Sequence, residues 1–240
     1  MKSSIVATLS NFSTLKSSVE EAALYGANMI ELRLDAFSEK ERTLLKVLLP
    51  EIRKKSSLEI IATVRDPKEQ GLKPITPNLS DEERLKIFES VLTHIDWIDI
   101  ELEADTINKS LVKKARLLKK GVILSYHDFK SIPSEEKIKG LLKKFHRLKG
   151  DIFKVAATPK TEEELLRFLT VASHIEKTPK VFIAMGELGQ ISRTKAFSFG
   201  SCLTYGHIGK PAAPGQVSIN ELVREIRDGA LFVGQIGLRP

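Results

Sequence analysis

The sequence predicts an α/β fold: a single-domain (β/α)8 barrel, or TIM barrel, over residues 1–240. Three observations carry this. Eight short apolar runs alternate with helix-like segments, the order of a parallel sheet whose strands are joined through helices. The length of 240 residues suits one closed eight-unit barrel, for which roughly 250 is typical. In five of the runs the polar residues all fall in one parity, as they would if one strand face lined a lumen.

The elements follow in order. Residues 5–9 read as the first strand and 14–25 as the first helix, stopped by Gly26. Strand 29–35 leads to helix 38–55, and strand 59–65 leads through a loop to helix 81–93. Strand 97–102 precedes helix 106–120, 122–127 precedes 134–148, and 152–157 precedes 162–177. Strand 181–186 leads to a helix near 192–198, and 201–205 to a last helix at 219–227. Ser80, Ser134 and Thr161 each stand before acidic residues, the chemistry of a helix start. Lys119-Lys120-Gly121 and Arg147-Leu148-Lys149-Gly150 read as basic last turns with glycine as the stop. The loop at 66–79 is the longest interruption and a candidate lid. A doubly wound open sheet is the rival, but the first turn, Leu9-Ser10-Asn11-Phe12-Ser13, has no glycine. No P-loop and no G-x-G-x-x-G follows any strand.

Composition narrows the function. Apolar residues make up 42% and charged residues 29%, an ordinary soluble balance, and no apolar run is long enough to span a bilayer. The apolar part of the N-terminus is too short for a signal peptide and reads directly as a strand. The one cysteine, Cys202, suits a cytoplasmic protein without an intramolecular disulfide. A net charge of +7 could mean nucleic-acid binding, but the lysines are spread over several helices and no aromatic residues interleave with them. A solvated surface is the preferred reading, with no nucleic-acid or membrane partner, and the field would favour an anionic small substrate.

The strand ends carry the chemistry. Glu31, Arg33 and Asp35, Thr63 and Arg65, Asp99 and Glu101, Ser125 and His127, and Lys154 share the polar parity. Leu32, Leu34, Ile98, Ile100, Leu124, Phe153 and Val155 keep the other parity apolar. In a barrel the polar set faces the lumen, and sites of this fold lie at the carboxyl ends of the strands. Lys154 is the candidate nucleophile, since burial beside other cations would free its lone pair to attack a carbonyl and form a Schiff base. The plainer alternative is a lumen ion pair with Glu31, Asp99 or Glu101. His127, at the end of the preceding strand, is the candidate general acid/base, with Asp99 as the carboxylate that orients it. A strand-end histidine can also merely fill a hydrogen-bond niche.

Glu31, Arg33, Arg65 and Glu69 could hydrogen-bond hydroxyls of a polar substrate. Arg193 could grip a carboxylate in a bidentate fork, or lie exposed at a helix end. Gln216 follows a rigid Pro-Gly turn at 210–216 and could reach the substrate, or only precede the last helix. His94, His146 and His174 lie on helices or at their ends and His207 in the loop after the last strand, where packing or surface roles are expected. No H-E-x-x-H, C-x-x-C or other ligand spacing supports a metal.

Taken together, the segments Glu31-Leu32-Arg33-Leu34-Asp35, Ser125-Tyr126-His127-Asp128-Phe129 and Phe153-Lys154-Val155-Ala156 resemble type I 3-dehydroquinate dehydratase. Met185-Gly186 with Ser192-Arg193, and Ala213-Pro214-Gly215-Gln216, extend the likeness to the last helix. The resemblance implies a cofactor-free barrel, commonly a homodimer, that dehydrates 3-dehydroquinate to 3-dehydroshikimate in the shikimate pathway. It matches Lys154 to the Schiff-base lysine, His127 to the catalytic histidine and Asp99 to its carboxylate partner. It matches Glu31, Arg33, Arg65 and Glu69 to the polar pocket, and Met185, Phe129 and Tyr205 to its apolar lining. Arg193 and Gln216 match the carboxylate and lid contacts, with Ala213 in the lid motif. Two departures stand out: Ala212 replaces a serine usual in the last loop, and Ala7-Thr8 gives no clear counterpart to a first-strand serine. The rivals are another Schiff-base barrel such as a class I aldolase, against which no Gly-rich phosphate cradle is evident in the last two units, and a non-catalytic basic binding barrel.

Overall fold

The computed structural model describes residues 3–70, 78–209, 211 and 215–235. Eight strands alternate with eight helices: β1 Ser4–Leu9, α1 Leu15–Tyr25, β2 Met29–Arg33, α2 Glu39–Lys55, β3 Glu59–Thr63, α3 Asp81–Val91, β4 Trp97–Glu101 and α4 Asn108–Leu117. They continue with β5 Gly121–Asp128, α5 Glu135–Leu148, β6 Ile152–Ala157, α6 Glu162–Ser173, β7 Lys180–Ala184, α7 Ile191–Thr194, β8 Leu203–His207 and α8 Ile219–Gln235. All pairings are parallel, in the order β7-β6-β5-β4-β3-β2-β1-β8. A bridge between Lys180 and Ser201 brings the two ends of this order together, so the sheet curls into a nearly closed (β/α)8 barrel.

Alternation of side chains divides the interior into two cores. Leu32, Ile60, Ile100, Leu124, Phe153 and Val155 point outward, against Leu45, Leu49, Phe88, Leu111, Phe145 and Phe168 on the helices. Val6, Met29, Ile61, Ile123, Ile152, Val181 and Leu203 point inward and fill the lower lumen. Above them on the same faces stand Thr8, Glu31, Thr63, Asp99, Ser125 and Lys154. The lumen is therefore apolar at the amino ends of the strands and charged at their carboxyl ends.

Ser80 accepts a hydrogen bond from the Glu83 amide and Ser134 from that of Lys137, closing the starts of α3 and α5. Thr161 does the same for Glu164 at the start of α6. Along α5, Ile138, Leu141, Phe145 and Leu148 recur at helical spacing and are buried, which docks that helix against Phe153 of β6.

Several expectations shift. β2 stops at Arg33, and Leu34–Ala36 is a 3-10 turn that turns Asp35 back into the protein. β3 and β4 end at Thr63 and Glu101, before Arg65 and Leu102. The helix near 192–198 is a short α7 followed by a 3-10 turn, Ala196–Phe199. β8 begins at Leu203 because Ser4 pairs there, so His207 belongs to the strand rather than to the loop after it. The left-handed residues that end α4 and α5 are Lys119 (φ 56°) and Lys149 (φ 59°), not the glycines after them. Those glycines are required by close approach: a Cβ on Gly121 would lie 2.1 Å from the Trp97 ring, and one on Gly150 2.4 Å from that of Phe145.

Gly121→Ala should therefore lower stability by about 1–3 kcal/mol through overpacking against a rigid indole. Urea denaturation measures this. An unchanged midpoint would show that the ring can move aside.

Candidate active site

Lys154 sits in the upper lumen, 4% exposed, on a strand buried at every residue. Its Nζ donates to Asp99 Oδ2 at 2.8 Å, lies 3.7 Å from Glu31 Oε1, and stands over the Tyr205 ring 4.1 Å from the centroid. Two carboxylates and one aromatic face thus enclose the amine.

Both carboxylates are themselves held. Asp99 Oδ1 accepts from Arg65 Nη2 at 3.0 Å and from Ser125 Oγ at 2.6 Å. Burial alone would raise the pKa of Asp99, yet the charges of Arg65 and Lys154 hold it well below the usual carboxylate range. Glu31 accepts from Thr8 Oγ1 at 3.0 Å and from Thr63 Oγ1 at 2.9 Å. Arg65 also donates to Glu101 Oε1 at 2.7 Å, and Glu101 Oε2 meets Arg84, a wholly buried arginine on α3. Arg84 binds the Val64 carbonyl through Nε and Nη2, at 3.1 and 2.9 Å, and Asp81 at 2.8 Å. A continuous chain of paired charges runs from the nucleophile candidate out to a helix.

His127 occupies the next lumen position up on β5, two residues beyond Ser125, and Ser125 is the register partner of Lys154. Its backbone amide donates to Glu69 Oε2 at 3.0 Å, and its Nδ1 lies 2.9 Å from the same oxygen. Glu69 reaches this place from the 3-10 turn Pro67–Glu69, whose start is capped by the Asp66 side chain. Burial, together with the charges of Arg65 and Lys154, drives the His127 pKa well below its ordinary value. Burial, reinforced by Glu101, pushes the Glu69 carboxyl up to about 8. Both directions favour the uncharged forms over an ion pair.

The remaining groups ring these two. Arg33 is clamped by Asp35, at 3.1 Å from Nε and 2.7 Å from Nη2, and Asp35 also accepts from the Arg65 amide. Arg193 is 6% exposed, donates Nη1 to the Tyr205 carbonyl at 3.2 Å, and has no partner at Nε. Burial lowers its pKa to about 10, and no described carboxylate pairs with it. Tyr205 is buried among the inner core residues and Met185 packs against them, whereas Phe129 is 37% exposed. Gly215 presses on the Gly186 backbone, where a Cβ would lie 2.0 Å from the carbonyl, and this sets Gln216 beside the end of β7. Ala213 and residues 71–77 of the candidate lid lie outside the described residues.

Two expectations need correcting. Asp99 does not hold His127; Glu69 does. Asp99 pairs in register with Ile123, four residues before His127 on β5, and its oxygens are taken by Lys154, Arg65 and Ser125. The direct partners of Lys154 are carboxylates rather than cations, so the resting chain shows the lumen ion pair. Sequence reasoning gave no role to Arg84 or Thr8, and placed Asp35 and Thr63 on the lumen face without naming what they hold. A signal for Arg84 exists: it falls at apolar spacing with Phe88 and Val91 on the buried face of α3. Among the described residues, no group of three or more His, Cys, Asp or Glu could hold a metal ion. A buried amine, a neutral imidazole and an arginine without a carboxylate partner are suited to attack on a carbonyl, proton transfer and capture of an anion.

Known proteins resemble this chain in sequence and fold. The sequence pattern of the type I 3-dehydroquinase family matches residues 4–227. The 3-dehydroquinate dehydratase of Hydrogenobaculum sp. (strain Y04AAS1) is 35% identical over 198 residues, covering 82% of this chain and 87% of the relative. The crystal structure of type I 3-dehydroquinate dehydratase from Clostridium difficile, with covalently modified comenic acid, superposes with a TM-score of 0.86 at 27% identity, covering 96% of this chain and 94% of that one. The 3-dehydroquinate dehydratase structure from Geobacillus kaustophilus has the same fold, with a TM-score of 0.87 at 23% identity over 99% of this chain and 93% of that one.

The Glu69 shift has a stability consequence. A carboxyl whose pKa is raised on folding contributes stability that is complete below its unfolded value and is lost as pH rises through the folded one. From the ordinary 4.5 to about 8, the unfolded chain has released this proton while the folded chain keeps it. Glu69→Gln removes that loss. Its stability relative to the unaltered chain should rise between those two pH values, by on the order of a few kcal/mol, and level off above. Chemical denaturation at several pH values measures the difference, and a difference independent of pH would refute the assignment.

Proposed function

The chain belongs to the type I 3-dehydroquinase family and is a 3-dehydroquinate dehydratase, a hydro-lyase; we propose that it acts through a Schiff base on Lys154, with His127 as general acid and base. The observation that carries this reading is the pairing of an enclosed lumen amine with a neutral imidazole one position higher on the adjacent strand.

The steps follow from the residues. Neutral His127 takes a proton from the Lys154 ammonium, and the freed amine attacks the C3 ketone of 3-dehydroquinate. His127 returns that proton to the carbinolamine hydroxyl, which leaves as water and gives the iminium, with His127 neutral again. His127 next removes a proton from C2, and the electron pair flows to the iminium nitrogen, which makes that proton far more acidic than beside a ketone. The enamine so formed expels the C1 hydroxyl, which leaves as water with the proton held by His127. Hydrolysis of the product iminium releases 3-dehydroshikimate and restores the amine. Arg193, lacking a described carboxylate of its own, binds the substrate carboxylate. Glu31, Arg33 and Gln216 stand around the ring hydroxyls. Arg65 holds Glu101 and Asp99, and through Asp99 the position of Lys154. Glu69 fixes the orientation of the His127 ring. Phe129 and Met185 belong to the apolar lining. The same reading makes the protein a cytoplasmic homodimer in the shikimate pathway.

Lys154→Ala should abolish formation of the conjugated enone, followed by ultraviolet absorbance, together with substrate-dependent borohydride labelling. Labelling that persists on another lysine would sink the nucleophile assignment. His127→Ala should turn over more slowly by at least about 10²–10⁴-fold while still forming an adduct on Lys154 that mass spectrometry detects. Near-normal turnover in that variant would remove His127 from the mechanism.

A further inference from the structure

We propose that the ring face of Tyr205 stabilises the positively charged nitrogen of the Lys154 adduct, a catalytic role for its π-electrons rather than its hydroxyl. The proposal rests on the Schiff-base reading above.

The argument starts from what the nitrogen loses. Condensation converts an ammonium and a ketone into an iminium and water: R–NH3⁺ + O=C gives R–NH⁺=C + H2O. The positive charge is conserved, but three N–H donors become one. At rest the ammonium donates to Asp99 at 2.8 Å and lies 3.7 Å from Glu31. The iminium can donate to only one of them, and both are already engaged, Asp99 by Arg65 and Ser125 and Glu31 by Thr8 and Thr63.

The third contact behaves differently. The Tyr205 ring lies 4.1 Å from Nζ, and its quadrupole attracts charge without needing an N–H. This attraction therefore survives condensation. It is strongest where water is excluded, and Lys154 and Tyr205 are each only 4% exposed. The β8 strand fixes the ring, since Tyr205 pairs with Val6 and its carbonyl accepts from Arg193. The hydroxyl is buried and makes no hydrogen bond, so it anchors nothing in the resting chain. The ring should favour the iminium over both its neutral neighbours, the carbinolamine before it and the enamine after it.

The test replaces Tyr205 in the full-length enzyme by Phe and by phenylalanines carrying one, two and three ring fluorines, with Tyr205→Leu as the ringless reference. Fluorine drains the negative ring face at nearly constant size. The readout is the share of covalently loaded Lys154 that a borohydride pulse reduces during turnover of 3-dehydroquinate, with total adduct counted by mass spectrometry after acid quench and melting temperature followed alongside. The trapped fraction should fall stepwise with each fluorine and be lowest for Leu, by about three- to thirtyfold in all, the range a cation–π contact spans. A flat fluorine series would overturn the proposal. So would a Tyr205→Phe value as low as that of Tyr205→Leu, which would assign the effect to the hydroxyl. An unaltered enzyme that traps nothing on Lys154 would instead overturn the Schiff-base reading beneath it.

Discussion

Burying charge in a barrel lumen is costly unless every charge has a partner, and that requirement shapes the whole upper half of this molecule. Lys154, Asp99, Arg65, Glu101 and Arg84 form one alternating chain of cations and anions, each nearly or wholly buried. Removing one member would strand its neighbours, so the chain holds each side chain in a narrow range of positions. The strands supply the heights and the alternation supplies the direction. Only Arg84 comes from a helix, and it ties α3 to the loop after β3 through the Val64 carbonyl. The lower lumen needs no such pairing, because Val6, Met29, Ile61, Ile123 and Ile152 fill it with apolar volume.

One residue position higher, the physics reverses. Glu69 is buried and His127 partly so; the imidazole and the backbone amide of His127 meet one Glu69 oxygen, and both side chains favour their neutral forms. Arg65 lies close enough to lower the histidine further, yet its hydrogen bonds go to Asp99, Glu101 and Ser125. Two kinds of polar chemistry are thus stacked along the strands: a layer of paired charges, and above it a pair whose surroundings favour neutral forms.

The fold was legible because both its signals are local. Eight alternations of strand and helix show in the apolar runs, and the lumen face of β2 to β6 shows in the parity of Glu31, Thr63, Asp99, Ser125 and Lys154. Parity reports which face a side chain takes and says nothing of its height in the lumen. That is why Asp99 was matched to His127, when strand register sets it four residues lower, against Lys154. Glu69 could not be placed from periodicity, since it enters from a turn whose path depends on the Asp66 cap. Glycines after α4 and α5 read as left-handed stops, but the constraint on them comes from Trp97 and Phe145, distant in sequence.

The separation of the two layers bears on how one histidine can serve several steps. A group that must take up and return a proton repeatedly works best when neither state is locked by a strong ion pair. Asp99 is held ionised by Arg65 and Lys154, so it is poorly suited to carry protons and well suited to fix the nitrogen. His127 has no such lock: among the described residues its one side-chain partner is a carboxyl pushed toward its own neutral form. In the proposed mechanism the amine's charge is held below while protons move above, on lumen residues set at successive heights on neighbouring strands. The same division explains why an aromatic face beside Lys154 suits this site better than a further carboxylate would. A third anion there would demand another buried cation, whereas a ring attracts the nitrogen's charge with no counter-ion of its own.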